Sequence, residues 1–328
     1  MPDISVIIPL YNKAKYISRA LESVFIQSFQ DFEVIVVDDG STDNSLHVAQ
    51  TYKDRRLRFV SQANKGPGAA RNKGVEISRS RYVTFLDADD QWMPDFLYTS
   101  IKNLSDHHDC ALSATAHFIG KEKNIWHGMN ILEIKKGPWR LPLDINPRLM
   151  SVALAFILSA GAVLARREVI LKFGGFYENG CKYGEDLYLW LQLMLNYKIF
   201  RDPSPLFWHH TEASELVRKC WAIGNTRVLE PFLTNADSIR KNCPPQYKML
   251  LERFLAYQAL WSAHECVFYG NLETARRLVE NYPLMKLWSS KYLKLKYKVK
   301  FPKTIPLLRK LRTSLTGTNK KYHTELTK

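Results

Sequence analysis

Residues 4–45 alternate between strand and helix patterns and read ISVIIPLYNKAKYISRALESVFIQSFQDFEVIVVDDGSTDNS. Two short apolar runs, at 4–10 and 33–38, are rich in β-branched residues and end in polar clusters, which indicates buried strands. Between them, apolar residues recur from Ile17 to Phe25 at the spacing of one helix face. This order predicts a strand, a helix and a second strand parallel to the first.

The same alternation continues along the chain. Further strands are predicted at 57–61 and 82–86, and a helix is predicted from Ala69 to Ile77, after a Gly-Pro-Gly turn. We therefore expect an α/β fold with a mostly parallel central sheet and helices on both faces. After about residue 213 only helical spacing remains, so we place a boundary there, between a domain at 1–213 and a helical region at 214–328.

Aspartates follow two of these strands at the point where each strand ends. Asp87-Ala88-Asp89 comes directly after YVTFL, and Asp38-Asp39 comes directly after EVIVV. Ligands of parallel sheets bind at this edge. Two carboxylates in one turn repel unless a cation neutralises them, and hard oxygen ligands suit Mg²⁺ or Mn²⁺ carrying a diphosphate. The alternative is an aspartate-rich turn that caps a helix beginning at Trp92-Met93-Pro94.

Three further clusters are candidates for the same site. Arg71 stands at a helix start after small residues, where it can face an anion or a base. Glu185-Asp186 opens an amphipathic helix, whose dipole favours the ionised form, so Asp186 is a candidate general base. The pair His209-His210 follows a turn predicted at Pro203 and Pro205 and is either a ligand pair or surface loop.

In their order and spacing these segments resemble the inverting glycosyltransferases of family 2, a family of bacterial glycan biosynthesis. Residues 5–45, 64–90 and 159–193 carry the resemblance, which extends over about residues 3–210. It implies the GT-A fold, a Rossmann-like nucleotide-diphospho-sugar transferase fold, with a donor-binding part at 1–116 and an acceptor side at 117–213. It also implies transfer of a sugar, with a UDP-sugar as the expected donor, to a hydroxyl of a glycan or lipid-linked glycan in surface polysaccharide (O-antigen or capsule) biosynthesis.

The resemblance implies a role for each matching residue. Asp186 matches the catalytic base, and Asp87 with Asp89 matches the metal-binding D-X-D motif, with Asp89 as the main ligand of Mn²⁺ or Mg²⁺. His209 or His210 falls where some members place a histidine near the diphosphate. The nucleotide pocket is matched by Pro9, Tyr11, Asp39 at the base, and Arg71.

Charge is concentrated at the end of the chain. From Asn281 onward there are 13 Lys or Arg and one acid, Glu325, which amounts to +12 of the net +15. Basic and apolar residues interleave at 286–312, which favours an anionic membrane surface over nucleic acid, while a solvated end without a partner is the alternative. We expect no nucleic-acid partner.

Other features bear on the compartment. Five scattered cysteines without C-x-x-C spacing, and a start unlike a signal peptide, predict a cytoplasmic protein, peripheral on the inner face of the cell membrane. The apolar run 149–165 is at the lower limit for a membrane span, and we expect a buried segment that leads into a core strand.

Rival functions make different demands on the sequence. A nucleotidyltransferase would carry a Gly-rich basic loop after the first strand, where this chain has YNKAK. A dehydrogenase would carry G-x-G-x-x-G at the same place. A non-catalytic sugar-nucleotide-binding protein would have lost Asp89 or Asp186, and both are present.

Overall fold

The structure, a computed structural model, describes residues 2–126, 128–157, 160–178, 184–213 and 231–301. These divide into two compact units, one formed by the described residues up to 213 and by 231–254, the other by 255–301. The boundary expected near residue 213 stays a prediction, because residues 214–230 lie outside the described part of the chain.

The first unit is built on a single twisted sheet. Its strands are β1 Ile4–Leu10, β2 Phe32–Asp38, β3 Leu57–Ser61, β4 Tyr82–Phe85, β5 Gln91–Trp92, β6 Cys110–Ile119, β7 Asn124–Ile125, β8 Gly137–Trp139, β9 Val163–Arg166 and β10 Lys198–His209. The order is β3-β2-β1-β4-β9-β6-β10-β5, with β7 beside β6 and β8 beside β10.

Most of the long strands run in one direction. β1 pairs in parallel with both β2 and β4, β2 with β3, and β6 with β10, while β9 lies antiparallel between β4 and β6. The expected α/β fold with a mostly parallel sheet is therefore confirmed. Because the strands are parallel, the carboxyl ends of β1, β2, β4, β6 and β10 reach the same edge of the sheet.

Helices cover the sheet on both faces. They are α1 Ile17–Phe25, α2 Ser45–Gln50, α3 Pro67–Ile77, α4 Phe96–Asp106, α5 Gly128–Leu132, α6 Pro147–Phe156, α7 Arg167–Lys172, α8 Glu185–Asn196, α9 Pro231–Thr234 and α10 Ala236–Asn242. Of the α1 residues that recur at helical spacing, Ile17, Ala20, Leu21 and Val24 are buried in the core, and Phe25 packs against it partly buried.

Strand β10 corrects the sequence prediction of a turn at Pro203 and Pro205. Both prolines lie within the strand, where the pairing with β6 shifts register between Asp202 and Pro205 and again between Pro205 and Phe207. Bulges of this kind tolerate proline because no ladder hydrogen bond is required there. His209 is consequently the last residue of a strand and does not lie in a loop.

The run 149–165 follows the expectation of a buried segment. It comprises most of α6 and the first residues of β9, with residues 158 and 159 outside the described part. Asn146 caps α6 by accepting a hydrogen bond from the Leu149 amide at 2.9 Å. Among the described helices, none has the length and apolar character needed to cross a membrane.

The second unit is helical where it is described. Helix α11 Lys248–Tyr269 enters it, followed by α12 Leu272–Asn281, a 3-10 segment at Pro283–Trp288 and α13 Ser289–Lys300. Within it, the Lys291 ammonium lies 4.0 Å from the centre of the Trp261 ring. Leu295 is the fully buried residue of α13, so the opposite side of this helix is exposed.

Candidate active site

The acid cluster, formed by Asp87, Asp89 and Asp90, lies at the edge of the sheet where the parallel strands end. It lies there because the turn after β4 continues directly into β5. β5 pairs antiparallel with the end of β10, with Trp92 opposite Phe207 and Gln91 opposite Trp208. This pairing brings residues 87–90 next to the histidines that end β10. Residues 91 and 92 are therefore a strand, and the helix predicted to begin at Trp92 begins at Phe96.

Asp89 is held by two cations from the segment after β1. Lys13 Nζ lies 2.5 Å from Asp89 Oδ2, and Arg19 donates to the Asp89 carbonyl oxygen. The Lys13 ammonium group also donates a hydrogen bond to the Ala213 carbonyl oxygen at 3.2 Å. Asp89 is buried, so its polar groups are stabilised by contacts with these neighbouring side chains instead of by solvent.

Asp87 pairs with Arg71, which in turn pairs with Glu185. Arg71 Nη2 lies 2.6 Å from Asp87 Oδ1, and Nη1 lies 2.6 Å from Glu185 Oε1. Burial raises the pKa of Asp87, but the charge and the hydrogen bond of Arg71, together with the charges of His209 and Lys13, outweigh burial, and the pKa lies below its usual range. The structure therefore places Arg71 between two carboxylates, joining α3, the β4 turn and α8. Its expected position near the base of the donor stays a prediction.

Asp186 is half-buried in the first turn of α8 beside Glu185. Burial and the Glu185 charge raise its pKa well above the usual range, against the opposing effect of Arg71 and the Leu187 amide. The helix dipole favours the ionised form, as expected from the sequence, but burial and the Glu185 charge outweigh such effects on the pKa of Asp186. A raised pKa suits a general base, which must take up a proton during the reaction.

Asp90 and the histidines complete the acid cluster. Asp90 is buried and accepts a hydrogen bond from the His210 amide at 2.8 Å. Burial and the neighbouring Asp89 and Asp87 raise the pKa of Asp90 well above its usual range. Burial lowers the pKa of His209, and the charges of Asp87 and Asp89 partly oppose that change.

His210 is also buried, which corrects the surface-loop alternative for the histidine pair. Its ring stacks on Trp208 with ring centres 4.2 Å apart, and Nδ1 lies 3.0 Å from Glu212 Oε1. Nε2 is buried and has no hydrogen-bond partner among the residues that the structure describes. Burial lowers the pKa of His210. Of the two histidines, His209 is the one whose pKa responds to the D-X-D carboxylates.

The predicted nucleotide-pocket residues lie at the ends of β1 and β2. Pro9 is opposite Val37 in the sheet, and Tyr11 is 46% exposed just beyond β1. Asp39 is buried, and its carboxylate accepts hydrogen bonds from Gln62 Nε2 at 2.7 Å and from the amides of Lys65 and Gly66 at 2.9 and 2.8 Å. Asp39 therefore fixes the loop that leads into α3.

The structure links some of the predicted residues directly and others only through the sheet. Arg71 contacts Asp87 and interacts electrostatically with Asp186. The charges of both D-X-D acids affect the pKa of His209. Pro9, Tyr11 and Asp39 lie at the ends of the neighbouring strands β1 and β2. The sequence pattern assigned no role in the site to two residues that contact the cluster, Lys13 and Arg19, and it named Glu185 beside Asp186 without predicting its pairing with Arg71.

The sheet order and the acid cluster define a GT-A fold of the nucleotide-sugar transferase class. In agreement, the family model described as "Glycosyl transferase family 2" matches residues 5–173, which is more than half of the chain. The chain belongs to glycosyl transferase family 2.

Two solved structures have the same fold. S. aureus TarS 1-349 in complex with UDP-GlcNAc superposes with a TM-score of 0.58 at 22% identity, covering 85% of this chain and 73% of the other. The mannosyltransferase PcManGT from Pyrobaculum calidifontis in complex with GDP-Man and Mn²⁺ gives 0.57 at 20% identity, covering 97% and 88%.

The curated relatives match only part of this chain. Chondroitin synthase of Escherichia coli is 45% identical over 97 residues, which is 29% of this chain and 14% of that protein. The chain spans 18% and 20% of the length of two Rickettsia glycosyltransferases that it also matches.

Proposed function

We propose that this chain transfers a sugar from a nucleoside-diphosphate donor, foremost a UDP-sugar, to a hydroxyl group of a glycan or lipid-linked glycan, with inversion at the anomeric carbon. The observation that carries the proposal is the Asp87–Arg71–Glu185 network, which joins the D-X-D turn to the helix bearing Asp186. It supports the proposal because it connects Asp87, the acid proposed to lie on the phosphate side, with the helix that carries the proposed base. Family membership favours glycosyl transfer over nucleotidyl transfer.

The donor set of the cluster fits a divalent ion. Carboxylates with one imidazole are ligands that Mg²⁺ and Mn²⁺ accept. Within the described residues no three His, Cys, Asp or Glu side chains converge as a ready-made metal cage. Asp89, Asp87 and His209 would hold the ion together with diphosphate oxygens, as is usual for Mg²⁺. Such an ion would neutralise charge that develops on the departing diphosphate.

The reaction needs one protein group for proton transfer. Asp186 takes the proton from the acceptor hydroxyl while the oxygen attacks the anomeric carbon from the side opposite the diphosphate. A single displacement of this kind inverts the configuration and needs no second carboxylate as a nucleophile, unlike a retaining hydrolase. Glu185 stays paired with Arg71 and raises the pKa of its neighbour.

The role in surface polysaccharide biosynthesis, as O-antigen or capsule, is part of the proposal. The similarity to chondroitin synthase supports a glycan acceptor. TarS bound to UDP-GlcNAc supports a UDP-sugar, whereas PcManGT bound to GDP-Man makes GDP-mannose the second donor to test.

A cytoplasmic enzyme that is peripheral on the inner membrane face is also proposed. The support is the exposed side of α13, where Leu293, Tyr297 and Phe301 follow one another at four-residue spacing and are 62%, 51% and 46% exposed. The lysines Lys294, Lys296 and Lys300 flank this stripe and are exposed as well. Apolar side chains between lysines suit an anionic lipid surface. Residues 302–312 of the predicted tail lie outside the described part.

The test of the function is a panel of UDP-, GDP- and dTDP-sugars with Mn²⁺ or Mg²⁺, scored by released nucleotide. Matched variants are Asp89→Ala in the site and Asp106→Ala, an exposed aspartate on α4 that pairs with Lys102. We expect turnover of one donor, loss with chelator and with Asp89→Ala, and retention with Asp106→Ala.

A folded protein that neither binds nor turns over any donor, with glycan acceptors present, would overturn the transferase assignment in favour of a non-catalytic role. Turnover that survives both chelator and Asp89→Ala would leave the transferase in place and remove the metal from the proposal.

A further inference from the structure

Lys13 occupies a position in the acid cluster that the sequence did not assign. Its backbone amide donates to Ser45 Oγ at 2.6 Å, which anchors the loop after β1 to the start of α2. Its side chain reaches across to Asp89 Oδ2 at 2.5 Å and to the Ala213 carbonyl at 3.2 Å. The ammonium group therefore lies at the D-X-D turn, while its main chain belongs to the β1 loop.

The Asp89 carboxylate is paired with Lys13 in the ligand-free chain. Arg19 contacts the Asp89 carbonyl oxygen, and Arg71 is shared between Asp87 and Glu185. A divalent ion bound to Asp89 would lie beside the Lys13 ammonium group. The two positive charges would repel each other if both stayed on this carboxylate. A diphosphate that arrives with the ion supplies negative charge that would offset this repulsion.

Lysine is suited to such an exchange of partners. Its ammonium is a compact charge with three donors on a flexible four-carbon stem, whereas Arg71 is fixed by two carboxylates at once. Lys13 is partly exposed, with 21% of its side chain accessible, so it has room to move. Lysine also binds phosphate as a point charge.

We propose that Lys13 is a donor-diphosphate ligand that pairs with Asp89 in the ligand-free enzyme and moves to the diphosphate when a divalent ion takes over that carboxylate. This inference rests on the proposed function and deepens it, because it names how the same site keeps its charge balanced before and after the donor binds. It gives Lys13 opposite effects on two affinities, since the lysine competes with the ion and attracts the nucleotide.

The experiment measures both affinities by titration calorimetry on the full chain. The probes are Mn²⁺ alone and UDP at saturating Mn²⁺, with GDP in place of UDP if GDP-sugar is the donor found. The variants are Lys13→Met, which keeps the length and removes the charge, Lys13→Arg, which keeps the charge, and Lys15→Met as a control on the same loop, where Lys15 is exposed.

For Lys13→Met we expect Mn²⁺ to bind about two- to fivefold more tightly, the scale of a partly exposed ion pair. We expect UDP to bind about tenfold more weakly or worse, the scale of a hydrogen bond to a charged group. Lys13→Arg should restore part of both changes, and Lys15→Met should change neither.

A Lys13→Met protein in which both affinities fall together, or in which UDP affinity is unchanged, would overturn the exchange while leaving the transferase intact. Wild-type protein that is folded but binds neither Mn²⁺ nor the nucleoside diphosphates would instead overturn the donor site itself, and this inference with it.

Discussion

Arg71 on α3 and Glu185 on α8 form a buried ion pair, with Nη1 and Oε1 2.6 Å apart across 114 positions of sequence. Both side chains are almost inaccessible to solvent, at 5% and 8%. Removing one partner of a buried pair leaves the other charge without compensation, which costs more than the pair itself contributes. This pair fixes the helix that carries Asp186 against the helix that contacts the D-X-D turn.

The first prediction concerns the stability of that pair. We expect Glu185→Ala to lower the free energy of unfolding by about 3 kcal/mol, at the low end for a broken buried pair because Arg71 keeps Asp87. Chemical denaturation measures the change. Glu76→Ala on α3, which removes the exposed partner of Lys73, is the control and should change stability by less than about 1 kcal/mol. Equal losses in the two variants would contradict a special role for the buried pair.

The second prediction follows from the raised pKa of Asp186. A carboxyl group whose pKa is higher in the folded than in the unfolded protein stabilises the fold below the unfolded pKa, and that contribution is lost as pH rises through the folded pKa. Asp186→Asn should therefore raise the melting temperature at neutral and alkaline pH and have little effect at acidic pH. Thermal melts across a pH series check the sign, and destabilisation at neutral pH would show that the ionised form is not penalised.

The third prediction concerns the activity of the same variant. If Asp186 is the base, kcat/KM in the wild type should fall as pH drops through its raised pKa, and Asp186→Asn should lose about 10²- to 10⁴-fold in kcat. Rates of slow donor hydrolysis and of transfer to the acceptor, measured over a pH range for both proteins, give the pH dependence of the wild type and the loss of kcat in the variant. A variant that is more stable yet retains full kcat would exclude Asp186 as the base.

The fourth prediction tests the close packing at the start of α3. A Cβ atom added at Gly68 would lie 2.5 Å from the Tyr177 carbonyl oxygen and 3.2 Å from Glu185 Cγ. Gly68→Ala must move backbone, so we expect a loss of about 1–3 kcal/mol and a loss of activity, because Glu185 is displaced from Arg71. Lys73→Ala, an exposed site on the same helix, is the control. Full stability and full activity in Gly68→Ala would contradict the packing argument.

The fifth prediction concerns the basic side of α13. We expect each substitution of Lys294, Lys296 or Lys300 by Gln to weaken binding to phosphatidylserine vesicles about fivefold at low salt, with no effect on neutral vesicles. Lys102→Gln on α4 is the control for charge alone. Vesicle flotation measures the bound fraction. Binding that is independent of salt concentration and is retained when all three lysines are replaced by Gln would contradict a membrane-binding surface at α13.

Strands β1, β2 and β4 were predictable because each is a short, buried run rich in β-branched residues, a signal contained in the residues themselves. Strand β3 was also predicted, but it lies at the end of the sheet order and is partly exposed. β10 was not, since Pro203 and Pro205 resemble a turn locally and only the pairing with β6 across two bulges makes the segment a strand. The burial of His210 follows from the same pairing and was hidden for the same reason.

The acids of the site were predictable by type and place, but their partners were not. The D-X-D turn follows a strand in the sequence, whereas the cations that balance it come from Lys13 and Arg19 on another loop and helix. The raised pKa of Asp186 depends on burial and on Glu185, which helix-dipole reasoning from the sequence does not include. Long-range burial and pairing therefore decide the charge states.

The antiparallel strand β9 gives the sheet a property useful for engineering. Because β9 runs against β4, its beginning lies at the edge where β4 ends, and the preceding Ala160–Ala162 turn reaches the same edge. The Gly161 carbonyl accepts a hydrogen bond from Trp92 Nε1 at 2.6 Å, which ties this turn to β5. A variant designed at this edge must therefore keep small side chains at 160 and 162, which are 4% and 0% exposed, because a larger side chain would overpack the core beside β5.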